Sequence, residues 1–498
     1  CCTYCQDLFK ADTGLRLPSK VDFTNSDFRR FLKWRYQKFM DFVVHLSARM
    51  REKYPDVVLD HHYYARPTTE WVDGHQLNPL PIGEIGDHYF IEAHRTVRET
   101  GFIAKVARAL GTPFCIWRNP IQSLPQCTSA YAPYQAPYSP ALHGLEAIIN
   151  GGSTIFGSFG GPIDLHRTTC KTVFSILRKR VDYMAGETVK YVALHYSQQC
   201  RDFRPSEMPK NLWQLDYASI AQRNIHGTYE ILNRSHLLFD MILDDQLDEE
   251  YLAAYSVLYL SNSCLSEEQC EHIRGFVEAG GTLIATQETS LFDEFGQRRD
   301  NFALADVLAV DYDSGDCDGD LGGVVYVPHE NELATEFGHL VCFAGHQTRI
   351  SLRSDGKVET LCTRSSLEGK PPLQDFHPSN PYDSGEPAVT LNRYGNGRAF
   401  YISSDVGEGF IHNPYPVAQR FVANLVRRTE APIRVHAPEA IEVTASLRAE
   451  KELVVHLLNN PTQLLPMAAG EEEITTFFYL RELNPIYEIE ITFGGFDL

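Results

Sequence analysis

The sequence predicts an α/β protein in three parts, and three observations carry that prediction. From residue 57 to about 152, short apolar runs alternate with amphipathic helical stretches, the pattern of parallel β/α repeats. Residues 255–308 read as a complete strand, helix and strand unit of a parallel sheet. From Ile433 onward, runs such as IEVTASLRA, ELVVHLLNN and YEIEITF alternate apolar and polar residues, as strands of a small antiparallel domain do.

Taken in order, the first part runs to residue 187. A helix is expected from Phe28 to Met50, with Phe31, Trp34, Phe39, Phe42 and Val43 at helical spacing, and another from Thr96 to Leu110, with Ile103, Val106 and Leu110. The strand-like runs are VVLDHHYY at 57, YFIEAH at 89, FCIWRN at 114 and AIINGG at 147. A (β/α)8 barrel needs eight such units, so this stretch fits about half of one; a small doubly wound α/β domain is the alternative reading. The second part, 188–431, opens on VKYVALHYS and has a helix around Tyr217 to Leu238. Within it Val257 to Leu260 forms a buried strand. Ser266 and Glu268 then open a helix with Cys270, Ile273, Phe276 and Val277 on one face, Gly280 and Gly281 stop it, and Thr282 to Ala285 is the next strand. Short β-like runs fill Val324 to Ser404, interrupted by the Pro- and Gly-rich stretch 366–388. An amphipathic helix from Pro416 to Arg428 closes the part, and 432–498 is the third.

Composition narrows the function classes. The chain has 498 residues, 43 % hydrophobic and 22 % charged, and a formal net charge of -20, which suits a soluble protein and disfavours a nucleic-acid binder that must neutralise phosphates. No membrane partner is expected, because no apolar run reaches the length of a span. The 12 Cys are too dispersed for a disulfide scaffold and fit thiols in a reducing, cytoplasmic setting.

The phrase EAGGTL, followed by a hydroxyl and acidic turn and then FGQRRDNFALADVLAV, resembles the trimerisation domain that follows the catalytic barrel in glycoside hydrolase family 42 β-galactosidases. The opening CCTYCQDLFKADTGLRLP resembles the cysteine-containing phrase that follows the fourth barrel strand in that family and in the uncharacterised hypothetical glycosyl hydrolase family six, the nearer of the two. The resemblance implies a partial (β/α)8 TIM barrel over 1–187, a flavodoxin-like/glutamine-amidotransferase-like α/β trimerisation domain over 188–431 and a C-terminal antiparallel β domain over 432–498. It implies a carbohydrate substrate, no required cofactor, and a homotrimer in which neighbours help wall each active site.

Glycosidases commonly work with two carboxylates, and barrel enzymes hold them at the C-terminal ends of strands. Counting back from the run that resembles the eighth strand makes YFIEAH the sixth and VVLDHHYY the fifth, which singles out Glu92 and Asp60. Partial desolvation of Glu92 would suit a general acid; a strand-end carboxylate bonded to backbone, Arg95 or Arg98 is the alternative. His61, His62, His94, Trp117, Arg118 and Asn119 are candidate sugar contacts, with loop histidines and a core tryptophan as the competing reading. His94 is the preferred partner of Glu92. Cys2 and Cys5 have the C-x-x-C spacing of two zinc ligands, and the resemblance places a third cysteine before residue 1; packed thiols are the alternative. The chain departs from family 42 where that family's strand-seven nucleophile should stand, since CIWRN has no carboxylate, and its strand-four acid/base has no counterpart. A noncatalytic sugar-binding or assembly protein therefore competes with a glycosidase. An amidotransferase is disfavoured because TLIATQETS holds no Cys.

Overall fold

The computed structural model describes residues 3–20, 22, 24–63, 86–93, 97–118, 138–157, 163–184, 186–203, 220–317, 324–327, 331–338, 340–343, 346–354, 358–365, 383–448, 452–461 and 485–494. The first part is built on a parallel four-stranded sheet of Asp60–Tyr63, His88–Glu92, Phe114–Arg118 and Ser153–Phe156, side by side in chain order. Sequential order with parallel pairing requires a crossover between successive strands, and the helices Val97–Ala109 and Tyr138–Ile149 lie in the later two of those crossovers. Ser26–Lys53 precedes the sheet; its first turn is fixed by the Asn25 side chain, which accepts from the amides of Asp27 and Phe28.

The run AIINGG does not form the strand expected of it. Ala147, Ile148 and Ile149 end the helix Tyr138–Ile149, and the strand is the next segment, Ser153–Phe156. A short apolar run is equally at home in a buried helix or strand. The turn decides it: Gly151 adopts φ +83°, a left-handed conformation that glycine takes without steric cost.

The helix Val97–Ala109 is buried on nearly every side, as a helix enclosed by neighbours must be. Phe102, Ile103 and Val106 share one core with Tyr89 and Ile91 of the first sheet and with Tyr196, Tyr229 and Phe239 beyond it. Lys105 Nζ reaches across to the carbonyl of Phe239 at 3.0 Å, so the first and second parts meet across this helix.

The second part is organised on a nine-stranded sheet. Gly397–Ile402, Thr282–Thr286, Val257–Ser261, Val192–Tyr196 and Phe239–Leu243 are neighbours in that order, each parallel to the next. Antiparallel strands Asp383–Tyr394, Glu359–Ser365, Val324–Tyr326 and Leu340–Cys342 extend the sheet beyond Gly397–Ile402. Helix Glu267–Glu278 starts at a capping box in which Ser266 accepts from the Gln269 amide while the Gln269 side chain accepts from that of Ser266. Its Cys270, Ile273, Phe276 and Val277 are buried. Helices Ile220–Arg234 and Val406–His412 approach so closely that a Cβ on Gly227 would run into the backbone of Gly407, which makes glycine obligatory there.

At the C-terminus, Ile441–Arg448 and Glu452–Asn459 form an antiparallel pair, extended on the Ile441–Arg448 side by Glu187–Thr188. This short strand straddles residue 187, where the first part was expected to end. Ile433–His436 pairs antiparallel with Glu490–Phe493. Among the described residues, no helix is long and apolar enough to cross a membrane.

Candidate functional site

Near the C-terminal ends of two neighbouring parallel strands in the first sheet, Glu92 and Trp117 are in register with each other. Asp60 is not at such an end. It opens its strand rather than ending it and pairs in register with His88, the first residue of the next strand. Four residues separate that register from Glu92, about 13 Å at 3.3 Å per residue. Carboxylates that cleave a glycosidic bond stand about 5–9.5 Å apart, less than the spacing of these two backbone positions. Asp60 instead bonds His88, Oδ1 to Nδ1 at 2.9 Å, at an exposed position. The expectation went wrong because the run VVLDHHYY pairs only from Asp60 onward.

Register also sorts the other candidates. Positions 60, 62, 88, 90, 92, 115 and 117 alternate onto one face of the sheet, and positions 61, 63, 89, 91, 114, 116 and 118 onto the other. The second set carries Tyr89, Ile91, Phe114 and Ile116, which bury against the helices. His62 thus shares a face with Glu92 and Trp117, while His61 and Arg118 hold positions on the helix-covered face. Trp117 is only 7 % exposed, and its indole lies against Gly157, where a Cβ would collide with it; it forms a packed wall rather than an open platform. Beside it, burial and the charge of Asp60 push the Cys115 thiol up to about 12. His94 and Asn119 lie outside the described residues.

Cys2 also lies outside them, and Cys5 sits within the helix Thr3–Thr13. Among the described residues no group of three or more His, Cys, Asp or Glu could hold a metal ion. A tetrahedral zinc site is therefore not assembled from the described residues.

Two buried polar clusters lie elsewhere. At the ends of the second sheet's strands, His195 Nδ1 bonds Ser263 Oγ at 2.9 Å and His195 Nε2 bonds Asp244 Oδ1 at 3.0 Å. The other oxygen of Asp244 accepts from the Gln199 amide at 3.0 Å. The residue types are those of a hydrolytic triad, but His195 and Ser263 are each 1 % exposed and both imidazole nitrogens are engaged. The cluster staples three strand ends together instead of presenting a nucleophile.

The second cluster joins all three parts. Arg98 Nη1 meets Glu442 Oε1 at 2.5 Å and its Nε lies 3.5 Å from Glu230 Oε1. Asn460 Nδ2 donates to Glu146 at 2.8 Å and to Glu442 at 2.5 Å, and Asn233 donates to Glu442 at 2.9 Å. Burial, followed by the neighbouring Glu442, raises the Glu146 carboxyl well above its ordinary range. Burial opposes the charge on Arg98, but Glu442 and Glu230 overcome it and hold the guanidinium protonated.

Comparison with known proteins finds β-galactosidases similar to this chain. The chain is 26 % identical over 239 residues to the β-galactosidase BglY of Alicyclobacillus acidocaldarius, covering 44 % of the chain and 30 % of that protein. It is 20 % identical over 277 residues to the β-galactosidase BgaP of Planococcus sp. strain L4, covering 55 % and 36 %. The chain thus spans about a third of the length of these curated relatives. Among solved structures, a β-galactosidase from Bacillus circulans sp. alkalophilus superposes with a TM-score of 0.64 at 14 % identity, covering 92 % of this chain and 71 % of that one. A GH42 β-galactosidase from G. stearothermophilus gives 0.64 at 17 %, covering 92 % and 70 %. No protein-family profile matches the chain. The chain is similar to the family 42 β-galactosidases in sequence and in fold.

For this family-42-like chain, sequence reasoning placed Glu92 and Trp117 near the ends of their strands, misplaced Asp60 and missed both buried clusters. Arg98 entered only as an alternative partner for Glu92, and Glu146, Glu230 and Glu442 carried no local signal, being brought together from three parts of the chain. His195 did carry one: a lone imidazole inside the apolar run VKYVALHYS needs a buried partner.

Proposed function

We propose that the chain is part of a glycoside hydrolase that cleaves O-glycosidic bonds of a β-galactoside-like carbohydrate by carboxylate acid/base catalysis. The observation that carries this reading is the run of parallel strands in chain order, ending at Glu92 and Trp117, in a chain whose curated relatives are β-galactosidases. We read residues 1–187 as the C-terminal half of a (β/α)8 barrel, with Glu92 as the acid/base candidate and the positions of His62 and Trp117 along the wall of the same face. Residues 188–431 serve as an amidotransferase-like trimerisation domain, and 432–498 as the β domain. In this reading the assembly has about three times the 56.4 kDa mass of the chain, which light scattering measures.

The catalytic test is turnover of a panel of aryl glycosides. Glu92→Gln should lower kcat/KM by about 10²-fold or more with little change in KM, as expected for loss of a proton donor; full activity in the variant removes Glu92 from the mechanism. A second reading, a noncatalytic sugar-binding or assembly protein, is favoured by the absence of a carboxylate in the strand Phe114–Arg118. It is the one to adopt if the wild type binds galactosides without turning any of them over.

A further inference from the structure

Cys200 lies in the short helix Gln198–Phe203 and Cys264 just past the strand Val257–Ser261. They are 64 residues apart in sequence, yet their sulfurs are 3.2 Å apart, and they are 2 % and 1 % exposed. A disulfide bond is about 2.05 Å long, so the sulfurs need to close by only about 1.1 Å. Both cysteines sit on fixed backbone. Cys200 is held through its amide by Ser197 Oγ at 3.0 Å, and the preceding Gln199 amide bonds Asp244. On the other side, Ser263 donates its amide to Thr289 Oγ1, and the Leu265 amide bonds the Phe292 carbonyl at 3.0 Å.

We propose that Cys200 and Cys264 are a redox-responsive pair whose disulfide fastens the helix Gln198–Phe203 to the second sheet. The pair lies at a contact with the first part. Phe203, on the same helix as Cys200, packs on Tyr36 of helix Ser26–Lys53 with ring centroids 6.1 Å apart. The oxidant is a low-molecular-weight disulfide of the glutathione type. One protein thiolate attacks a sulfur of that disulfide and expels a thiolate; the second protein thiolate then attacks the protein-bound sulfur of the mixed disulfide and expels the other. Two protein thiols lose two protons and two electrons, and the small disulfide becomes two thiols.

The test is peptide mapping of the whole chain after incubation with oxidised glutathione, acid quench and alkylation under denaturing conditions. In most molecules the Cys200 and Cys264 peptides should appear linked and two hydrogens lighter than the separate thiol peptides, and dithiothreitol should return both as alkylated peptides. The thermal midpoint should rise on oxidation in the wild type and stay unchanged in Cys264→Ser. Recovery of both peptides separately alkylated after oxidation, or of Cys200 linked to a different cysteine, overturns the proposal. The mapping needs no variant, so it remains decisive if Cys264→Ser does not fold.

Discussion

The two parallel sheets differ in how completely they are enclosed. In the second, Val257–Ser261 and Thr282–Thr286 are buried at every residue; in the first, the edge strand Ser153–Phe156 alternates, with Ile155 42 % exposed, and Val58, before the opposite edge strand, is 69 % exposed. A parallel sheet is stable when both faces are covered, and unpaired edges are a liability that proteins ordinarily cover. The second sheet is thus a finished core. The first is open at its edges. The difference teaches that burial and candidate chemistry are divided here. The buried Arg98, Glu146, Glu230 and Glu442 side chains join the parts, while the candidate acid lies at the end of the less enclosed sheet.

The sharpest way to break the comparison is to disconnect the sheets. Arg98→Ala removes the cation that balances Glu442 and Glu230 in a site that is 1 to 2 % exposed. Removing one partner from a buried ion pair costs about 3–5 kcal/mol, because the remaining charge is left uncompensated. Denaturant unfolding should show that loss, with the two parts no longer unfolding in a single transition. Unchanged stability would mean that the cluster does not carry the junction.

A paired truncation measures the enclosure itself. Leu258→Ala in the second sheet, where Leu258 is fully buried, should cost about 2–5 kcal/mol. Ile155→Ala at the exposed edge should fall within about 0.5 kcal/mol. Comparable losses at the two sites would show that the first sheet's edge is covered in the folded protein, and unfolding at several protein concentrations would reveal whether an assembly partner covers it.

The same division decides how much was legible in the sequence. The helix Glu267–Glu278 was readable because Ser266, the buried face and Gly280 all mark it locally. The run at 147 was misread because Ile148 and Ile149 satisfy helix and strand alike, and only the turn at Gly151 separates the two. Asp60 was misplaced because the sequence shows a strand but not where its pairing begins. The Arg98 cluster was invisible for a different reason: its members lie up to 362 residues apart, as the bond from Arg98 to the Asn460 carbonyl shows, and no local pattern encodes an encounter at that separation.

Glu146 provides a smaller, pH-resolved effect at the junction. Its carboxyl is raised in the folded protein by burial and by Glu442, from an ordinary value of 4.5, so the folded state binds a proton that the unfolded state releases. Stability from this group is therefore complete below the ordinary value and is lost as pH rises toward the folded one. In Glu146→Gln an amide supplies the donor to Glu442 permanently, and the Asn460 contact is kept. The stability of the variant relative to wild type should grow as pH rises above 4.5, measured by denaturant midpoints; a constant difference would mean that Glu146 is ionised in the fold.

The smallest effect is expected at Asp60, and it tests the register argument directly. Its bond to His88 is between groups 47 % and 28 % exposed, and exposed pairs contribute about 0–1 kcal/mol. Asp60 also stands about 13 Å along the strands from Glu92 by register. Asp60→Asn should therefore unfold close to wild type and leave glycoside turnover within about twofold, in contrast to the loss of about 10²-fold expected for Glu92→Gln. If Asp60→Asn instead abolished turnover while the fold and sugar binding were retained, the reacting bond would lie at the other end of the sheet from Glu92, and the strand ends would exchange their assigned roles.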